Sequence, residues 1–144
     1  MKRAIEAALA QLLNKPLWAA GRAGSITWLH FGERHTVADS RSGTKVVGSY
    51  ALHLDCPWSW TRSWGDLVAD QDTEHDELES LDLLPVPPTA VEAGDDGSFR
   101  LSFGDGSTLS VEPEPGAEIE EYWRFFEPHR ETRHFVVGPN GVED

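Results

Sequence analysis

The eleven residues from Val46 to Cys56 alternate with a period of two, and this alternation limits the folds open to the chain. Val46, Gly48, Tyr50, Leu52, Leu54 and Cys56 share one face; Val47, Ser49, Ala51, His53 and Asp55 share the other. Only a strand separates the two sets in this way, because a helical period of 3.6 would mix them. A strand with one apolar face needs hydrogen-bonded neighbours beside it and a second layer over that face. The first set is read as the core face. Other segments repeat the signal. "ITWLHF" (26–31) is β-branched and aromatic and ends at Gly32. "FRLSFGDGSTLSV" (99–111) reads as a hairpin, Phe99, Leu101 and Phe103 answered by Leu109 and Val111 across a Gly-Asp-Gly turn. "HFVVGPNG" (134–141) reads as a strand running into a turn. "AEIEEYWRFF", between Pro115 and Pro128, also fits helical spacing, but four aromatics in five residues suit a pleated surface better.

Helical periodicity is clear at the N-terminus, where Ile5, Ala8, Leu9 and Leu12 fall on one face and Pro16 bars continuation. The expected fold is a single α+β domain, residues 1–144. An N-terminal helix packs on a curved, mainly antiparallel sheet of about six to nine strands, a roll or partly open barrel. The helix is expected to cover the face lined by Tyr50, Leu52 and Leu54.

The chain has 144 residues and a formal net charge of −13. From Ser63 to Phe99 there is no Lys or Arg, while eleven of the 25 acidic residues lie there. That balance argues against a nucleic-acid partner, which needs a clustered basic face, and against attraction to anionic membranes. One cysteine excludes an internal disulfide framework and a multi-cysteine zinc site. No apolar run approaches the ~20 residues of a membrane span, and "MKRAIEAALAQLLN" lacks the uninterrupted apolar stretch of an export signal. A cytoplasmic location is expected.

Candidate chemistry is sparse. His53 and Asp55 lie two apart on one strand face, so they are a candidate ligand face, and the carboxylate can orient the imidazole. Cys56 falls on the opposite face, which argues against a Cys–His dyad. His30 and His35 flank Glu33, and His129 and His134 flank a loop, but neither pair has zinc-ligand spacing. "DQDTEHDELESL" (70–81) fails as a calcium loop, with His75 where Gly is needed and Leu81 where Glu is needed. No cofactor is expected. Any further site has to be assembled from distant positions such as His30, His53 and His134.

"WLHFG" followed by "YALHLDCPWSW" resembles a group of small bacterial proteins, chiefly actinobacterial. Their pattern is an N-terminal helix, an Arg-Ala pair before a Trp…Phe-Gly strand, then Tyr-x-Leu-His-x-x-Cys-Pro-Trp. Arg22, Ala23, Trp28, Phe31, Gly32, Tyr50, Leu52, His53, Cys56, Pro57 and Trp58 match it. The group often carries Gln before the Cys and Arg after the Trp, where Asp55 and Ser59 stand here. The resemblance implies a fold and carries no chemistry. A looser likeness, in "FRLSFGDGSTLSVEP" and "EYWRFFEP", is to immunity partners of bacterial toxins.

The acidic segment, about 63–98, reads as a loop insertion with partial helical content. Asp70, Asp72, Glu74 and Asp76, interleaved with Leu78 and Leu81, are the candidate partner-binding residues, since docking surfaces join steering charge to apolar anchors. Asp66, Glu77, Glu79 and Asp82 extend the same surface. The chain is therefore expected to be a non-enzymatic interaction domain engaging a basic protein. A small-molecule-binding or hydrolytic domain using the His53/Asp55 face is the alternative.

Overall fold

The protein is seen in a computed structural model that describes residues 1–41, 43–81, 86–116 and 118–143. Helix α1 (Lys2–Leu9) runs into one 3-10 turn (Ala10–Leu12), and together they bury Ile5, Leu9 and Leu12. Asn14 then takes a left-handed conformation (φ 67°), and its N–H donates to the Pro88 carbonyl. The chain continues through β1 (Leu17–Ala23), β2 (Ile26–Asp39), β3 (Gly43–Leu54), β4 (Trp58–Thr61) and β5 (Leu67–Asp70). A short helix α2 (His75–Glu79) precedes β6 (Pro88–Ala93), β7 (Phe99–Phe103) and β8 (Thr108–Val111). The last strands are β9 (Trp123–Phe126), β10 (Phe135–Gly138) and β11 (Gly141–Val142).

Among the described residues these strands make two antiparallel sheets, ordered β1-β2-β3-β9-β10-β11 and β5-β4-β8-β7-β6. The α+β class holds. The single curved sheet, drawn as a roll or partly open barrel, does not, because the chain changes sheets between β3 and β4. Proline at 57 has no N–H for a ladder, the Asp55 N–H goes to the Tyr122 carbonyl, and β4 pairs with β8 and β5. The two sheets share one core. Phe99 of β7 meets Trp123 of β9 edge to face at 4.7 Å, and the Trp58 indole N–H donates to the buried Thr27 hydroxyl at 3.1 Å.

This arrangement also relocates the helix. Leu52 and Leu54 are buried within that shared core, so α1 does not serve as their cover. It lies along β6 and adds its three large side chains to the same core, with the Glu6 carboxylate accepting from the Ala93 N–H. Burial of each leucine contributes about 1.5–3 kcal/mol.

The acidic segment is not a loop insertion. It holds β5, α2 and β6, because Leu67, Ala69 and Asp70 pair with β4 while Ala69 and Leu78 enter the core. Arg22 of β1 ties it down from the other side. Its guanidinium donates to the Gln71 and Thr73 carbonyls, and its N–H donates to Nδ1 of His75 at 2.9 Å. Asp82 lies outside the described residues.

A bulge in β2 shapes the other sheet. Gly32 (φ 85°) and Glu33 together oppose Ser49, so the register shifts between Phe31 and Arg34. Gly48 lies across from this kink, where a Cβ would sit 2.6 Å from the Phe31 carbonyl oxygen. Only glycine fits there. Beyond the bulge the expected parity of burial also ends: Val46 is 53% exposed, while Val47 is buried.

Candidate functional site

The face of the six-stranded sheet turned away from the shared core is not a plain polar surface. It carries an open concavity of about 600 Å³, lined by Trp18, Trp28, His30, His53, Phe126 and His134, with Lys45, Glu127 and Arg130 beside them. The register explains the convergence. Trp28 of β2 pairs with His53 of β3, which pairs with Arg124 of β9; one step along, His30 pairs with Ala51, which pairs with Phe126. Residues directly opposite in antiparallel strands share a face. Small residues keep the floor low. Ala19 and Val47 line it, and at Gly21 a Cβ would lie 2.1 Å from a ring carbon of Trp28, so the indole lies across β1.

The rings form two connected groups. His30 lies 5.7 Å from Trp18 and 5.4 Å from Trp28, the latter edge to face. His134 stacks on Phe126 at 4.2 Å, and His53 meets the same phenyl ring edge-on at 4.8 Å. Arg34 holds its guanidinium 4.5 Å above the Trp18 ring, a cation–π contact.

These imidazoles are held neutral at pH 7. Burial, the neighbouring His53 and Lys45 lower His30 to about 4. His53 is lowered to about 4, by burial first and then by Arg124, with His134 and Lys45 adding to the effect and Glu121 opposing it. His134 is lowered by burial and by Arg124. Two tautomers follow from the partners. The Gly48 N–H donates to His30 Nδ1 at 2.9 Å, and Arg124 Nη1 donates to His134 Nδ1 at 2.9 Å. Neither donor can accept, so each ring carries its proton on Nε2. The Arg124 guanidinium also holds Glu121 bidentately, Nε at 2.8 Å and Nη2 at 2.5 Å, which keeps that carboxyl below its ordinary range.

Of the candidate ligand face, His53 lies in this concavity and Asp55 does not. β3 ends at Leu54, so Asp55 has left the strand, and the charged groups around His53 are Arg124, Glu121 and Lys45. The two residues of the candidate ligand face are therefore not brought together in the hollow. The distant positions His30, His53 and His134 are assembled. Trp18 and Trp28 went unassigned in the sequence, although Trp28 and His30 alternate with Thr27, Leu29 and Phe31 in the period that sets them on the outer face. The neighbours in sequence also exchange partners: His35 stacks on His129 at 3.8 Å, in a second hollow, where Ser49 Oγ lies 3.0 Å from His35 Nε2.

The partner-binding candidates divide. Asp72, Glu74 and Asp76 are exposed, while half-buried Asp70 accepts from the Asp72 N–H and organises its own turn. Leu78 is 1% exposed and Leu81 packs against the core, so neither is a surface anchor; a helix docked on β1 turns its apolar side inward. Among the described residues there, the exposed large apolar side chains are Trp64, 69% exposed with its indole N–H on Asp66, and Leu67, 57% exposed. The Cys56 thiol is pushed up to about 12 by burial and by Asp55, and it packs against the core. Among the described residues no group of three or more His, Cys, Asp or Glu side chains is placed to hold a metal ion, and no helix is long and apolar enough to cross a membrane. No protein-family model, curated protein or solved structure matches the chain.

Proposed function

We propose that this chain is a small-molecule-binding domain and that the outer concavity of its six-stranded sheet is the binding site. The observation that carries this reading is the convergence of two indoles, a phenyl ring and three neutral imidazoles on one hollow of about 600 Å³. That volume lies within the roughly 300–1,000 Å³ of small-molecule sites, whose walls are apolar with a few placed polar groups. Trp28 and His53, both in the pattern shared with the actinobacterial group, pair across β2 and β3 at its centre. Binding is favoured over hydrolysis because no lining carboxylate is free to work with an imidazole: Glu127 is paired with Arg130 at 3.3 Å. The thiol at Cys56 is protonated and faces the core.

The test is a thermal-shift screen of the purified protein against a broad metabolite panel. A ligand at a hundred times its Kd adds about 2.7 kcal/mol, which raises Tm by several degrees at this chain length. The expected hit is lost in Trp28→Ala and His53→Ala and kept in Asp55→Ala. A panel without a hit, or a hit indifferent to both substitutions, refutes the reading.

A second reading, docking of a basic protein partner, draws on Trp64 and Leu67 standing exposed beside Asp66, Asp72, Glu74 and Asp76. Such a surface combines steering charge with apolar anchors. Its check is recovery of a salt-sensitive partner by wild type and loss of it in Trp64→Ser with Leu67→Ser.

A further inference from the structure

The cations and the fixed tautomers of His30 and His134 tilt the hydrogen-bond chemistry of this concavity toward donors, with neutral His53 keeping one acceptor nitrogen. Resting on the small-molecule reading above, we infer that the ligand is an anionic planar aromatic compound, a flat ring bearing a carboxylate or a phosphate. His30 and His134 spend Nδ1 on the protein, so the polar group each ring has left is a donor, Nε2–H. Trp18 also lines the hollow, and its buried indole N–H has no partner among the described residues. Lys45 lines the hollow and Arg34 lies over Trp18, and neither makes an ion pair among the described residues. The acidic group in the lining, Glu127, is occupied by Arg130.

A ligand that satisfies these groups has to bring acceptors and negative charge. The walls add the second requirement. Trp28, Phe126 and the imidazoles offer ring faces and edges that favour offset or edge-on contact with another ring. The chain as a whole carries −13, which repels anions at long range. Screening confines that repulsion to about 8 Å at physiological salt. Recognition is therefore local: Lys45 lines the hollow, and Arg34 stands over the Trp18 ring that forms part of its wall.

Calorimetric titration of the full chain with indole-3-acetate, its neutral amide, tryptamine and inorganic phosphate tests this. The acid is expected to bind at least tenfold more tightly than the amide, tryptamine more weakly still, and inorganic phosphate weakly for want of a ring. A phosphate ester of the same ring, 3-indoxyl phosphate, separates the two anions by its rank against the acid. Lys45→Gln combined with Arg34→Gln, both exposed and so compatible with folding, is expected to erase the preference for the acid over the amide. An amide or amine that binds as well as the acid overturns the ligand class and leaves the site standing. So does a preference that survives in the double variant. If none of these probes binds and the metabolite panel also yields no hit, the site itself is refuted.

Discussion

Acidification from pH 7 to pH 5 should destabilise this protein through His30 and His53. Both rings titrate at about 4 in the folded chain and near 6.5 when exposed. Between those values the unfolded chain binds more protons, so stability falls as pH falls. The full effect at pH 5 is ~2 kcal/mol per ring, from the ratio of proton binding in the two states. Both rings are half-buried, and solvent screening reduces this to roughly 1 kcal/mol each, or ~2 kcal/mol together. His129 and His134 are also lowered and act in the same direction. Glu121, Asp96 and Asp105 are held below their ordinary values, so their contributions are lost only at lower pH, outside this window. The assay is urea unfolding at pH 7, 6 and 5, comparing wild type with His30→Asn combined with His53→Asn. Wild type should lose ~2 kcal/mol more than the variant across that range. Equal slopes, or a wild type as stable at pH 5 as at pH 7, would show that these rings are not held neutral by the sheet.

Leu78→Ala should cost about 2–4 kcal/mol in chemical denaturation, because it empties a core position, whereas Leu67→Ser at the exposed site should change stability by less than about 0.5 kcal/mol. Gly21→Val should displace the Trp28 ring that lies against the Gly21 backbone, costing about 1–3 kcal/mol and abolishing the thermal shift of any panel ligand. The Cys56 thiol should resist a colorimetric thiol reagent at pH 8 and react at the rate of a free cysteine once the chain is unfolded in guanidinium; prompt reaction of the native protein would contradict its burial.

Local patterning identified α1 and six of the eleven strands among the described residues, where six to nine strands were expected in all. The period of two placed β2, β3, the β7–β8 hairpin and β10, the aromatic run at 122–126 formed a strand, and the 3.6 period placed α1. These signals are local because side-chain direction follows directly from backbone conformation. What a period cannot state is which layer covers each face. The Tyr50, Leu52 and Leu54 face was legible as apolar, but its cover, the second sheet, depends on pairings between β4, β8 and β7 far apart in the chain. The acidic segment misled for a related reason. Its charge describes the side exposed to water, while Ala69, Leu78 and the hydrogen bonds from Arg22 decide that it is ordered. The site shows the same division. The sequence by itself set His53 on a face opposite Leu52 and Leu54. The tertiary structure alone made that face a hollow, by bringing Trp18, Trp28 and His30 from β1 and β2, and Phe126 and His134 from the β9–β10 region, beside it. It also left Asp55 out of the hollow, because the regular ladders to β2 and β9 both end at Leu54 and Asp55 lies beyond them.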